Sequence, residues 1–220
     1  MIFKEIDFHI ERYEKIDAAL NKGMRLRMNH IIDSIFLRMP KKLKTDSIKK
    51  LNCYACAKPP NKDFVTFDGY CMAYVYYPNA YSISQYEDEL LVLAVKNIIT
   101  EGLKIALKYD STLKPHLSLL FDLINSSADP FEYNTGVKRF HRSRKYKCEG
   151  VLRIQPQIYS SMVRVTNKAG DEEWFHVKDL EPLLFKPDLG FNKLLWEEDK
   201  IVAYQNDNRK FEFVPKMIGN

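Results

Sequence analysis

Apolar residues recur every three or four positions over residues 24–39, the spacing that places them on one face of a helix. Similar spacing predicts helices at 8–22, 46–57, 85–109 and 113–126. The 85–109 helix is apolar on much of its circumference, so we expect it to form the spine of the core. The 8–22 helix has an alternative, because the residues around its start alternate in polarity as in a strand: Ile6, Phe8 and Ile10.

Local signals predict where two of these helices end and begin. Gly23 fits the end of the 8–22 helix, because glycine readily adopts the left-handed conformation that terminates helices. Ser84 and Glu87 have the spacing of a capping box, in which each side chain bonds the other residue's backbone amide. They predict that the long helix starts at about residue 85.

Residues that favour strands and alternate in polarity dominate the rest of the chain. Segments 63–67 and 70–77 flank Asp68-Gly69, a dipeptide that favours a two-residue hairpin turn. After residue 148, short alternating segments predict an antiparallel sheet of five or six strands: VLRIQ, MVRVT, EWFHV, LLW, IVAY and FEFV.

Residues 127–136 are turn-formers without periodicity, and they are the best candidate linker. They separate a mainly helical region, 1–136, from an antiparallel β-rich region, 137–220, although one continuous domain is the alternative. The predicted fold class is α+β, with a mostly helical N-terminal two-thirds that includes the hairpin and an antiparallel β-meander at the C-terminal end.

Composition indicates a folded protein. Hydrophobic residues make up 45% and charged residues 29% of the 220 residues, close to the globular norm. Acidic residues near the start argue against a secretory signal, and no apolar run approaches the roughly 18 residues of a membrane span. Four unevenly spaced cysteines do not suggest a disulfide framework. We therefore expect a cytoplasmic protein with reduced thiols.

The net charge of +5 is unevenly distributed, because residues 137–148 contain six Lys or Arg and no acid. Aromatic residues are interleaved with these cations, as phosphate neutralisation with base stacking would require. The alternative is a solvated edge strand or a protein interface. A lysine cluster at 41–50 is interpreted as a solvated face. In the basic run, the residues predicted to contact a partner are Arg139, His141, Arg142, Arg144 and Lys145.

Six tyrosines lie between residues 70 and 86. Tyrosine combines a large rigid ring with a polar tip, a composition that is typical of interface hot spots. Alternate residues of a strand face the core, so some of these rings are expected to be buried. The candidates for partner contact are Tyr76, Tyr77 and Tyr81.

No motif of an enzyme or a metal site is recognisable: the five histidines are scattered, and GxSxG, P-loop and GxGxxG patterns are missing. Cys53 and Cys56 form a CxxC pair that a redox or zinc site could use. They lie late in a predicted helix without a second pair at regular spacing, which favours two buried hydrophobes. We therefore predict no catalytic residues, no metal and no cofactor.

Three stretches resemble small bacterial immunity proteins of interbacterial toxin systems: YVYYP at 74–78, YEDELL at 86–91 and ITEGLKIALKYD at 99–110. In that family a strand ending in a Tyr-Pro step leads into a long helix that closes near an EGL segment. GMRLRMNHIIDSIFLRMP and LLWEEDKIVAYQNDNRKFEF have the same general character. The resemblance involves packing positions and turns, so it transfers no functional residues.

Immunity proteins neutralise a cognate toxin by binding it. The resemblance therefore implies a non-catalytic protein whose partner is a bacterial toxin. The mild basic charge differs from the acidic character of many immunity proteins against nucleases, which leaves the class of toxin open. The alternative function is a nucleic-acid-binding module that uses the basic segment 138–147.

Overall fold

In the computed structural model, which describes residues 1–10, 18–156, 158–180 and 189–218, the chain divides into two units. Unit 1 is Met1–Asp129 and unit 2 is Pro130–Asn220. None of the helices in the described ranges has the length and hydrophobicity that crossing a lipid bilayer requires.

The described residues of unit 1 form one mixed sheet and three α-helices. Its elements, in chain order, are β1 (Glu5–Ile10), α1 (Ala18–Arg38), β2 (Lys50–Cys56), β3 (Phe64–Phe67), β4 (Tyr70–Tyr76), α2 (Asp88–Tyr109) and α3 (Leu117–Asn125). The strand order is β1-β2-β4-β3, in which β1, β2 and β4 are parallel and β3 is antiparallel to β4. Short 3-10 helices at Ala80–Gln85 and Ser111–His116 precede α2 and α3.

One face of the unit 1 sheet packs against the helices. In β2, Leu51, Cys53 and Ala55 are fully buried, whereas the residues between them are partly exposed. This alternation is the two-residue period of a strand with one covered face. Gly102 of α2 lies directly over Cys53, so the helix backbone approaches the central strand closely.

The predicted helix at 46–57 is wrong, because β2 occupies most of it. The apolar residues Ile48, Leu51 and Ala55 also fit helical spacing, but Leu51 and Ala55 belong to a buried strand paired on both sides. In the predicted 8–22 helix, residues 8–10 belong to β1, 18–22 belong to α1, and 11–17 lie outside the described residues.

Both predicted helix boundaries also need correction. Gly23 lies inside α1 and does not end a helix. Ser84 lies in a 3-10 helix, and Glu87 is the N-cap of α2 without a side-chain capping bond. The helices predicted at 24–39 and 85–109 are confirmed by α1 and α2, and the hairpin at Asp68-Gly69 is confirmed by β3 and β4. Both turn residues have the positive φ that such a turn requires, 46° and 81°.

The described residues of unit 2 form two antiparallel sheets and a short 3-10 helix. Its elements are β5 (Phe131–Phe140), β6 (Tyr146–Ile154), β7 (Tyr159–Asn167), β8 (Glu172–Leu180), β9 (Lys193–Glu197), β10 (Lys200–Gln205), β11 (Asn208–Phe213) and a 3-10 helix at Lys216–Ile218. The first sheet has the order β5-β6-β7-β8 and the second the order β11-β10-β9. Residues 131–136 of the predicted linker are therefore part of β5.

The core of unit 2 lies between the two sheets. The Phe191 ring packs on Gly150, where a side chain would clash with it at 2.9 Å. The Ser161 hydroxyl donates a 2.7 Å hydrogen bond to the Leu189 carbonyl. Further apolar residues fill this core: Leu152, Val163, Val165, Leu194 and Ile201.

The chain is α+β, but the prediction of a mostly helical N-terminal two-thirds is wrong. Strands account for 41% of the structure and helices for 31%. The N-terminal part begins with a strand and contains a four-stranded sheet. The C-terminal strands form two sheets and not a single meander.

Candidate binding surfaces

The face of the unit 1 sheet that points away from the helices carries a mixed polar and aromatic surface, which we call the open face. Strand register aligns its central side chains as cross-strand partners: Lys50 with Tyr70, Asn52 with Met72, and Tyr54 with Tyr74. At the two edges, β1 adds Glu5, Asp7 and His9, and β3 adds Val65 and Phe67. The open face is therefore charged along β1 and aromatic along β3 and β4.

Large aromatic side chains are exposed on the β3–β4 side. Phe67 is 81% exposed and lies opposite Tyr70, which is 56% exposed. Tyr76, at the end of β4, is 63% exposed. Rings of this size supply much of the binding energy at interfaces, which makes this side of the open face a candidate contact surface. We call these three residues the aromatic patch; Tyr76 lies at the far end of β4 from Phe67 and Tyr70, about 20 Å along the strand.

Ring stacking orders the middle of the open face. The ring centroids of His9 and Tyr54 are 4.8 Å apart with an interplanar angle of 19°. Those of Tyr54 and Tyr74 are 5.5 Å apart at 30°. The Tyr74 hydroxyl also contacts the Met72 sulfur at 3.7 Å. These contacts hold side chains of three strands in one layer, which lowers the entropy cost of binding a partner there.

An ionic network centred on Asp7 occupies the β1 side. Lys50 Nζ bonds Glu5 and lies 3.6 Å from Asp7 Oδ2, and His9 Nε2 lies 3.3 Å from the same oxygen. The Phe8 amide donates a 2.8 Å hydrogen bond to Asp7 Oδ1. Burial alone would raise the pKa of Asp7, but the hydrogen bonds and charges of His9, Phe8 and Lys50 outweigh it and lower the pKa. Asp7 is therefore ionised at neutral pH.

The three tyrosines predicted to contact a partner follow one another at the end of β4 and beyond it. Tyr76 belongs to the aromatic patch, and Tyr81 is 41% exposed in the 3-10 helix Ala80–Gln85. Tyr77 is partly buried; burial and a hydrogen bond with Tyr86 raise its pKa. Sequence reasoning missed Phe67, although it lies next to the predicted turn.

Unit 2 presents a second surface at the hairpin between β5 and β6. Its cations are exposed: Lys138, Arg139, Arg142, Arg144 and Lys145. Phe140, within the same run, is 57% exposed. In the described part of the chain, none of these five cations forms an ion pair. Lys147 is different, since its Nζ lies 2.8 Å from Glu149. We call residues 138–145 the basic hairpin.

His141, predicted as a contact residue, is only 6% exposed and is bonded through both ring nitrogens. Its Nδ1 lies 2.8 Å from the Ser143 hydroxyl, and its Nε2 lies 3.1 Å from the Glu198 carbonyl. Asp199 Oδ1 is 3.6 Å from the same Nε2. His141 therefore joins the basic hairpin to the turn between β9 and β10, and its buried ring helps to position the hairpin.

Trp196 of β9 provides a second link to the basic hairpin. Its indole N–H donates a 3.3 Å hydrogen bond to the Arg139 carbonyl. Its ring meets that of His141 edge-on, with centroids 5.0 Å apart. Together the two aromatic residues fix the base of the hairpin.

The tip of the basic hairpin is a tight turn. The Arg144 amide donates a 2.8 Å hydrogen bond to the His141 carbonyl, and the His141 amide donates one of 2.9 Å to the Tyr146 carbonyl. Arg144 has a φ of 56°, in the left-handed region that disfavours side chains. The turn projects Arg142, Arg144 and Lys145 into solvent.

The CxxC pair does not form a joint site. Cys53 and Cys56 are both buried in β2, and an odd separation along a strand directs side chains to opposite faces. Burial is the main cause of the raised pKa of the Cys53 thiol, and the negative charge of Asp7 raises it further. Because the thiolate is the reactive form, a thiol that stays protonated is a poor nucleophile and metal ligand. Within the described residues, no cluster of three His, Cys, Asp or Glu side chains is placed to hold a metal ion.

Comparisons of the chain with protein-family models, with curated proteins and with solved structures found no match.

Proposed function

We propose that this chain is a non-catalytic immunity protein that binds and neutralises a cognate bacterial toxin in the cytoplasm, and that the aromatic patch of unit 1 is its contact surface. The observation that carries the proposal is the exposure of Phe67, Tyr70 and Tyr76 on one side of the open face.

The arrangement of these rings supports a protein partner. Phe67 and Tyr70 project side by side from paired strands, so burying both would remove a large continuous apolar area from water. Sheet residues are held by the ladder hydrogen bonds, so little backbone entropy is lost on binding. A rigid aromatic surface of this kind is typical of interface hot spots.

The charged side of the open face defines the chemistry of the partner. Glu5 is partly exposed and Asp7 is buried beside it, and Lys50 neutralises their two carboxylates only in part. A complementary toxin surface would place an apolar pocket over the aromatic patch and a Lys or Arg beside β1. Electrostatic complementarity of this kind selects the cognate toxin over related ones.

Co-expression with the toxin encoded beside its gene tests the proposal. The intact chain is expected to protect the cells and to co-purify with the toxin. Phe67→Ser and Tyr70→Ala are each expected to weaken the measured affinity by at least about tenfold, the loss typical of a hot-spot residue.

Leu93→Ser and Leu119→Ser are matched controls, because both leucines are exposed on helices of the same unit, at 56% and 41%. They should leave affinity and protection unchanged. If no neighbouring toxin binds the intact chain, or if the control variants weaken binding as much as the patch variants, the proposal fails.

A further inference from the structure

We infer that the basic hairpin of unit 2 is a binding site for single-stranded nucleic acid. The inference is independent of the proposed toxin binding, because it concerns other residues in the other unit.

The first observation is the lack of counter-charges in the described residues around the hairpin. Lys138, Arg139, Arg142, Arg144 and Lys145 have no acidic partner there. Several other cations of unit 2 form ion pairs with carboxylates: Lys147, Arg153, Arg164, Lys193, Lys200 and Arg209. Like charges held in one turn repel each other, and an anion laid across them relieves that repulsion.

The second observation is that the hairpin is built to hold its shape. His141 is buried and is bonded through both ring nitrogens, and Trp196 donates to the Arg139 carbonyl. Arg144 keeps a left-handed backbone conformation that Asn or Gly adopts more readily. A rigid loop loses little entropy on binding.

The third observation is the exposed Phe140 ring within the cation run. It is 57% exposed and lies in β5 two residues before Arg142. Proteins that bind single strands combine backbone-tracking cations with aromatic rings on which bases stack. An acidic protein surface would use the cations without needing the ring, so Phe140 favours nucleic acid as the ligand.

The acidic turn between β9 and β10 limits where the strand can lie. Asp199 is 63% exposed and approaches the buried His141 at the base of the hairpin. A phosphate there would be repelled, so the strand must cross the tip formed by Arg142, Arg144 and Lys145. The number of neutralised phosphates is therefore small, and the affinity should depend moderately on salt.

Fluorescence anisotropy with labelled oligo(dT) and oligo(U) tests the site. Binding is expected at about 50 mM salt and should be about twentyfold weaker at about 200 mM, as three phosphate contacts on a single strand imply. Replacing the three tip cations by Arg142→Gln, Arg144→Asn and Lys145→Gln removes three phosphate contacts. The slope of log K against log salt should then become shallower by about 2, since each contact on a single strand contributes about 0.7.

A charge-matched control separates the site from general attraction. The triple variant Lys41→Gln, Lys42→Gln, Lys44→Gln removes the same net charge from exposed lysines of unit 1. It should keep most of the affinity. Phe140→Ala should weaken single-strand binding by about tenfold, as loss of one stacked base does.

Three results would overturn the inference. One is no binding of either oligomer at low salt. Another is an equal loss of affinity in the lysine control. The third is equal binding of polyglutamate and duplex DNA with no effect of Phe140→Ala, which would identify a general polyanion or acidic-protein surface. Circular dichroism and thermal unfolding of each variant confirm that a loss of binding is not a loss of fold.

Discussion

Gly102 of α2 and Cys53 of β2 are in direct van der Waals contact through the core of unit 1. A Cβ built on Gly102 would lie 2.4 Å from Cys53 Sγ and 3.1 Å from Cys53 Cβ. Neither group can move away, because Cys53 is fully buried in a strand paired on both sides. The contact therefore fixes how closely the longest helix approaches the sheet.

Gly102→Ala is expected to destabilise unit 1 by about 3 kcal/mol, the upper range for overpacking a core. Adding Cys53→Ala should recover about 1–2 kcal/mol, because it removes the sulfur but leaves the tight Cβ contact. Urea unfolding followed by the helical circular-dichroism signal measures this, since the three α-helices described all lie in unit 1.

Gly23→Ala is the matched control, because Gly23 lies in α1 and no atom of the described residues lies within 4 Å of its added Cβ. It should stabilise the helix by about 0.5–1 kcal/mol. If Gly102→Ala is also neutral or stabilising, the close approach of α2 to β2 is refuted.

The elements that sequence reasoning found are those whose signals are local. The α2 helix has a long apolar periodicity, and the β3–β4 turn has its own dipeptide at Asp68-Gly69. By contrast, β2 pairs with β1 and β4 in parallel, across long stretches of chain. Nothing within residues 46–57 reveals those partners, so helical spacing was mistaken for a helix. Lys50, Asn52 and Tyr54 alternate with the buried residues Leu51, Cys53 and Ala55, and this alternation is the local signal that indicates a strand.

His30 predicts a specific pH dependence. It is 4% exposed, and burial lowers its pKa to about 4 from an ordinary value of 6.5. The folded state therefore keeps His30 neutral in a range where the unfolded chain binds a proton. Stability should fall as pH drops from 6.5 to 4, by about 1.4 kcal/mol per pH unit and about 3 kcal/mol in total.

His30→Gln should flatten this part of the stability curve, measured by urea unfolding of unit 1 at several pH values. The lowered pKa of Asp7 acts in a different range, since its contribution is lost only as pH falls below its ordinary value of 3.8. A wild-type curve that is flat between pH 6.5 and 4 would contradict the prediction.

The Trp196 hydrogen bond to Arg139 predicts the local stability of the basic hairpin. Trp196→Phe keeps an aromatic ring against His141 but removes the only donor of that side chain, at a cost of about 1 kcal/mol. Hydrogen exchange at the His141 and Arg144 amides should accelerate about fivefold.

Trp174→Phe is the matched control, because Trp174 donates to Glu172 on β8. Exchange at the hairpin amides should not change in that variant. Equal acceleration in both variants would mean that Trp196 stabilises unit 2 as a whole and not the hairpin in particular.

The sequence indicates that the basic segment is rich in cations, but it does not indicate which residues of the segment lie on the surface. The basic run was visible as six cations in twelve residues, and His141 within it was predicted to contact a partner. In the structure, His141 is buried because the β9–β10 turn, more than fifty residues later, supplies the Glu198 carbonyl. A contact between residues so far apart in the chain leaves no signal in the local sequence. Phe67 was missed for a related reason, since its exposure depends on which face the helices cover.

Arg164 is the centre of an ionic network on unit 2. Its guanidinium bonds Asn134 at 3.2 Å and Glu149 at 3.3 Å, and lies within 4 Å of Glu132 and Glu172. Burial alone would raise the pKa of Glu149, but Lys147 and Arg164 outweigh it and lower the pKa. Removing Arg164 would leave several carboxylates close together without their main cation.

Arg164→Met is therefore expected to destabilise unit 2 by about 2–3 kcal/mol at pH 7, as removal of one partner from a largely buried pair does. The lowered pKa of Glu149 contributes stability above its ordinary value of 4.5, and this is lost as the carboxylate protonates. The difference in free energy of unfolding between wild type and variant should accordingly narrow as pH falls below about 4.5.

Arg153→Met is the control, since Arg153 is 40% exposed and pairs only with Glu132 among the described residues. Arg153→Met should lower the free energy of unfolding by less than about 1 kcal/mol, both at pH 7 and below about pH 4.5. Tryptophan fluorescence during urea unfolding reports unit 2, where both tryptophans lie. Equal costs for the two arginines would show that Arg164 is not the centre of the network.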